Sequence, residues 1–252
     1  MAAWAEAAAA ERCGATSGDD WIARTRDLAS ISDCMAGAFF AGYQVAVART
    51  FPEFDRPGAS CFAATTRDGA VACTLALTDD GARLDGEKTW VAGVDHLDRL
   101  VVLVETNDGP AFLDVPAGAP GVTLANPGPS RFLVELSQGA ARFDSVTLTA
   151  GQILRDPERA RRFRRAERFH VLCALAQMLR GAGQDTSTLE ADIAALDAAL
   201  FDEGSVRAHL DDLGFRVREG FDALDANAAP ELADALRQDG RLLDMFAPAP
   251  KG

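Results

Sequence analysis

Apolar positions change their spacing twice along this chain. Between residues 31 and 49, Met35, Phe39, Phe40, Tyr43, Val45 and Val47 leave no clean polar face. That predicts a helix buried on all sides rather than an amphipathic one. Ahead of it, an Ala-rich opening (residues 1–12) predicts a helix, and residues 13–20 read as a loop whose end caps a further helix beginning near Trp21. Pro52, Pro57 and Gly58 then break the pattern. From 60 to 149, short runs rich in Val, Leu, Phe and Thr alternate with Gly, Pro, Asp and Asn, as in a compact antiparallel barrel or sandwich. Helical spacing returns at Asp156-Pro157-Glu158, which offers an N-cap, a proline at the first helical position and an acidic first turn. That helix is expected to run to Gly181 and Gly183. Residues 188–201, 205–227 and 230–246 predict three more helices, with Leu189, Ile193, Leu196 and Leu200 on one face, before a frayed tail at 247–252. The expectation is an α+β chain in three parts: a helical segment (1–59), a middle antiparallel β-domain (60–149) and a C-terminal helical bundle (150–252).

Composition narrows the class. The chain has 252 residues, 48% of them hydrophobic and 25% charged, and is long enough to bury a real core. A net charge of −13 argues against nucleic acid as a partner. No stretch approaches the roughly 18 apolar residues of a membrane span. The opening segment carries Glu6 and Glu11 and no basic leader, so a soluble, cytoplasmic protein is expected. The five cysteines are scattered without a Cys-x-x-Cys, and the three histidines lack ligand spacing, so reduced thiols and no metal site are expected.

One stretch is more informative than the rest. Ala82-Arg-Leu-Asp-Gly-Glu-Lys-Thr-Trp-Val-Ala-Gly93 reads as two short strands around a tight turn at Asp85-Gly86, with Trp90 standing off the second. On its own, Trp90 fits a core position or a stacking one. The segment resembles the leucine-asparagine-glycine-glutamate-lysine-x-tryptophan-isoleucine hairpin in the middle β-domain of the acyl-CoA dehydrogenase family. The resemblance continues in order through an apolar strand at 98–104, then blocks at 110–116, 120–124 and 141–148. The helical flanks look like shortened versions of the family's helical domains, so the chain resembles a reduced member of that family.

The resemblance implies an FAD-dependent α,β-dehydrogenation of an acyl thioester, CoA- or carrier-linked, in which a carboxylate removes the α-proton and FAD takes the β-hydride. It places Trp90 beside the flavin ring. Two positions on, the family usually carries threonine; here stands Ala92, which could offer only its backbone N–H. The family's threonine-glutamate-proline-glycine-x-glycine-serine-aspartate loop corresponds to residues 63–70, where the Pro-Gly turn is gone but Thr65, Thr66 and Arg67 keep hydroxyls and a cation; the same residues also fit an ordinary polar turn. The family's arginine-x-x-phenylalanine-glycine and glutamine-x-x-glycine-glycine turns are not found in the sequence. Glu167, in Ala166-Glu-Arg-Phe169, matches the place where a subgroup keeps its catalytic base. A structural pair with Arg168 is the other reading. Arg155, Arg159, Arg161, Arg162, Arg164, Arg165 and Arg168 crowd this helix start, where positive charge opposes the helix dipole. A CoA phosphate, a flavin diphosphate, an acidic second subunit or nearby acids such as Glu158 would balance them. The family assembles through its C-terminal helices, so a homo-oligomer or a hetero-oligomer with a dehydrogenase subunit is expected. The missing motifs keep a second function open: a non-catalytic subunit or scaffold that has lost FAD and pairs with a complete dehydrogenase.

Overall fold

The computed structural model describes residues 20–31, 34–54, 58–202, 206–224 and 230–247. The expected first helix, most of the loop after it and nearly all of the frayed tail lie outside the described residues. Helix α1 (Trp21–Ala29) starts where the sequence placed its cap, with Asp20 Oδ1 accepting from the Ala23 N–H at 2.9 Å. Helix α2 (Met35–Thr50) is buried along almost its whole length, as its unbroken apolar pattern requires. It lies against α3 (Arg159–Gly181), and Gly42 is what lets them meet. A Cβ there would sit 2.5 Å from Val171 N and 2.6 Å from His170 O, so the two backbones come closer than any side chain allows.

Among the described residues, eight strands form two four-stranded sheets: β1 (Ser60–Ala63), β4 (Arg99–Thr106), β5 (Gly109–Pro116) and β8 (Ile153–Arg155) in one, and β2 (Thr74–Thr78), β3 (Gly81–Ala92), β7 (Gln138–Thr149) and β6 (Val122–Ala125) in the other, each in that order. Residues of both sheets share one hydrophobic core with α2 and α3. This is the expected α+β architecture with a central β region between helices. One pair departs from the antiparallel expectation: β1 runs parallel to β4, because the chain crosses through β2 and β3 of the other sheet between them.

β1 is an edge strand, and α2 closes that edge with side chains. Gln44 Nε2 donates to Ser60 O at 2.7 Å while the Ser60 N–H donates to Gln44 Oε1 at 2.9 Å. Two residues along, the Phe62 N–H donates to Tyr43 Oη at 2.9 Å. Adjacent helical residues thus take the place of a neighbouring strand.

Three sequence expectations change in detail. Asp85-Gly86 is not a hairpin turn: β3 runs straight through it, and the turn falls at Asp79-Asp80, between Thr78 and its partner Gly81. Gly86 is needed for a different reason, since a Cβ there would lie 2.6 Å from Ala72 O and Cys73 Cα, where residues 72–73 cross it. Asp85 instead accepts from the Ser145 N–H at 2.7 Å across a register shift. Pro157 falls in the turn before α3, whose start at Arg159 is prepared by Asp156 Oδ1 accepting from the Glu158 N–H at 3.0 Å. Helix α3 does end as expected, with Gly183 at φ 79° and the Gln184 N–H reaching back to Leu179 O at 3.0 Å. Beyond it come α4 (Ser187–Ala199), α5 (Val206–Asp222), α6 (Pro230–Asp239) and α7 (Arg241–Phe246), the last two divided at Gly240 within what the pattern read as one helix. Leu189, Ile193, Leu196 and Leu200 are all buried. Among the described residues no helix is long and apolar enough to cross a membrane.

Candidate functional site

Glu167 sits one turn beyond Phe163 on α3, so both side chains leave the same helical face. Phe163 packs on Phe62 of β1, ring centroids 4.5 Å apart, and edge-on against Tyr43 of α2 at 5.6 Å. Glu167 is thereby carried to the junction of α2, β1 and α3, where its charge acts on Tyr43 and Cys61. Burial raises its carboxyl to a pKa of about 7, with the Arg164 guanidinium pulling the other way. Among the described residues it has no hydrogen-bond or ion-pair partner. The structural pair with Arg168 is not formed: Arg168 turns away to Asp211 at 2.5 Å and to Phe246 O at 3.2 Å.

Beside Glu167 lie a buried phenol and a buried thiol. Tyr43 Oη is 3.1 Å from Phe62 O and 3.4 Å from Cys61 Sγ. Burial pushes the Cys61 thiol up to about 11 against hydrogen bonds from Tyr43 and the Ala92 N–H, and raises the Tyr43 phenol further above its ordinary range. Ala92 is fully buried, its N–H turned toward that sulfur.

Trp90 also meets Tyr43 edge-on, centroids 6.1 Å apart. It lies between Lys88 and Val91, where the β3–β7 register shifts, and such irregularities re-aim side chains out of the ladder. Its indole N–H donates to Gln138 Oε1 at 3.1 Å. The ring is half-buried and lines an open cleft of about 430 Å³ with Arg67, Thr89, the 125–130 stretch and Gln138.

The Thr65–Asp68 turn borders that cleft. It is pinned to β3 by the Thr89 N–H donating to Thr65 O at 2.9 Å and by the Arg67 N–H donating to Thr89 Oγ1 at 3.0 Å. Buried Lys88 also holds it, donating from Nζ to Ala64 O at 3.1 Å and to Thr66 Oγ1 at 3.3 Å. The Thr66 hydroxyl therefore braces the turn from within, whereas the side chains of Thr65 and Arg67 are exposed and make no hydrogen bond or ion pair among the described residues.

Most of the arginine cluster is matched within the chain. Arg159 is buried and forks onto Glu53 at 2.9 and 3.0 Å, with Asp156 at 3.0 Å. Arg161 pairs with Glu158 and Arg162 with Asp156. Arg155 bonds Thr106 and Arg165 the Asp202 carbonyl. Arg164, exposed and beside Glu167, has no such partner among the described residues.

No family model and no curated protein sequence matches the chain. Solved structures do. FkbI, from biosynthesis of the methoxymalonyl extender unit of the polyketide Fk520, is similar over 97% of this chain and 85% of its own, with a TM-score of 0.66 and 18% identity. PigA, solved with FAD and proline, is similar over 97% and 82%, with a TM-score of 0.59 and 14% identity. The prolyl acyl carrier protein oxidase AnaB is similar over 86% and 72%, with a TM-score of 0.57 and 12% identity. The chain has the fold of the acyl-CoA dehydrogenase-like flavoproteins.

The fit to a flavin can be judged on chemistry. A flavin needs a flat apolar surface, an open slot beside it and donors for its polar edge. Trp90, the cleft and the exposed Arg67 and Thr65 supply these. Gln138, Tyr43, Cys61 and Lys88 were missed at the level of sequence. Lys88 alone carried a signal, inside the tryptophan-bearing segment; the others are brought in by strand pairing and helix packing.

Proposed function

We propose that the chain is an acyl-CoA dehydrogenase-like flavoprotein acting on an acyl thioester, CoA- or carrier-linked. The observation that carries this reading is Glu167: a carboxyl with no ion pair, raised to about 7 by burial, at a junction that shares Tyr43 with the indole of Trp90. A base whose pKa lies near the operating pH is half-ionised there and still basic enough to take a proton from carbon. Glu167 takes the α-proton onto its carboxylate, and the apolar wall of Phe163 and Tyr43 keeps water from competing for it. FAD, when bound, supplies the acceptor for the β-hydride. Trp90 would offer it a stacking face, the exposed Arg67 and the Thr65 hydroxyl would serve its polar groups, and Thr66 would act by bracing their turn through Lys88. The division at 59/60 and 149/150 fits this reading, as does assembly through the helices, where Phe201, Phe215 and Met245 are exposed.

A second reading is favoured by one observation. Ala92 is fully buried, so the position where the family offers a threonine presents no hydroxyl, and its backbone acts on the Cys61 thiol. In that reading the chain is a non-catalytic subunit that pairs with a complete dehydrogenase. The purified protein decides between them. A flavin absorbance that is bleached by acyl thioesters supports the enzyme, with Glu167→Gln keeping the spectrum and losing the bleaching. Protein that neither carries nor takes up FAD, or Glu167→Gln protein reduced at the wild-type rate, overturns it.

A further inference from the structure

The indole N–H of Trp90 bonds to a residue outside its own strand. The Trp90 backbone lies where the β3–β7 ladder slips, so regular pairing does not fix it. The second side-chain torsion of tryptophan is broad, so rotamer preference does not fix the ring either. Core packing and the Tyr43 ring, edge-on at 6.1 Å, hold the apolar part of the indole but make no hydrogen bond to its N–H. What remains is Gln138, whose Oε1 accepts the indole N–H at 3.1 Å and whose Nε2 donates to Phe132 O at 2.6 Å.

That second bond leads into residues 126–137, of which 126–130 border the same cleft and 134–137 a neighbouring one. This stretch is anchored from its far side. Leu133 is held at φ 53°, and its N–H donates to Asp239 Oδ1 at 2.6 Å, the carboxylate being buried. A left-handed leucine persists only where its surroundings hold it. The Arg241 guanidinium lies over the Phe132 ring at 5.3 Å, and Gln238 bonds Glu135 at 2.8 Å. Gln138 therefore joins the indole N–H to a stretch of backbone that contacts from helices α6 and α7 anchor.

We propose that Gln138 is the positioning residue for Trp90: it fixes which edge of the indole faces the cleft, using the 126–137 stretch as its anchor. Its relevance to cofactor binding rests on the flavoprotein reading above; its effect on the ring does not.

Trp90 can be observed alone in a Trp4→Phe, Trp21→Phe background. Gln138→Leu removes both bonds, while Gln138→Glu keeps the acceptor for the indole and loses the donor to Phe132. The expected result is faster depolarisation and a red-shifted emission of Trp90 in Gln138→Leu, with Gln138→Glu, which keeps the indole acceptor but loses the anchor on Phe132 O, falling between that variant and the parent. FAD affinity should fall about tenfold or more in Gln138→Leu and by a smaller factor in Gln138→Glu. Parent-like Trp90 emission and anisotropy in Gln138→Leu overturn the proposal, as does a Gln138→Glu protein whose ring is as ordered as the parent's, because the anchor would then be unused. If Gln138→Leu does not fold, the Gln138→Glu comparison still decides. Absence of FAD uptake by the parent defeats the flavoprotein reading and leaves the fluorescence result standing by itself.

Discussion

Arg168 closes on Asp211 of α5 and leaves its sequence neighbour Glu167 without a counter-ion among the described residues. Two adjacent residues of opposite charge point in different directions because successive positions on a helix are about 100° apart. The arginine serves helix packing, and the glutamate is delivered to the β1 side of α3, where only the longer-range pull of Arg164 offsets burial.

That isolation has a cost that depends on pH. The folded-state pKa of Glu167 is about 7 against an ordinary 4.5. Between those values the folded protein holds a proton that the unfolded chain has lost, so stability falls as pH rises through that window. Glu167→Gln removes the dependence. Urea melts should show the variant equal to wild type near pH 4 and more stable at pH 8, by up to roughly 3 kcal/mol. Equal stability at pH 8 would show that the carboxylate is better solvated or paired than its placement implies.

Trp90→Ala tests the cleft. The ring is half-buried at the surface of the β region, so its loss should leave the fold intact. It should weaken FAD binding by at least the ~0.5–1.5 kcal/mol that an aromatic pair contributes beyond area. Titration calorimetry beside a thermal melt separates binding from stability; unchanged affinity would place the flavin elsewhere.

Tyr43→Phe tests the closure of the β1 edge. The hydroxyl accepts from the Phe62 N–H at 2.9 Å, and among the described residues that N–H has no other hydrogen-bond acceptor. Its removal should cost about 1–3 kcal/mol, the price of an unsatisfied buried donor. Amide exchange at Phe62 should accelerate with it, and a neutral result would mean that water reaches the strand.

Gly42→Ala should be more damaging than its size suggests. The added carbon meets the backbone of His170 and Val171, which cannot rotate away, so α2 and α3 must separate. A loss of about 1–3 kcal/mol or more is expected by chemical denaturation. Because α3 carries Glu167, the same variant should shift the pH dependence of stability; a purely uniform loss would separate helix packing from the glutamate's position.

Periodicity and local chemistry fixed much in advance. The Asp20 cap, the fully buried α2, the stop at Gly183 and the apolar stripe of α4 follow from spacing and from backbone preferences that act within a few residues. The resemblance around Trp90 led to the fold that the solved structures share. Asp85-Gly86 misled, because a turn dipeptide and a glycine that makes room for a crossing chain look alike until the crossing chain is placed.

Tertiary structure decided whom each charge meets. The arginine cluster could await an external anion or be balanced by nearby acids, and Glu53, Asp156, Glu158 and Asp211 answer most of it. Glu53 lies more than a hundred positions from Arg159 along the chain. The sequence determined that Glu167 would be on a helix and Trp90 near the end of a strand. Only packing decided that Arg168 would turn from the one and Gln138 would hold the other. Helix and strand periods are written into neighbouring residues, whereas a side chain's partner depends on which distant segment is folded against it.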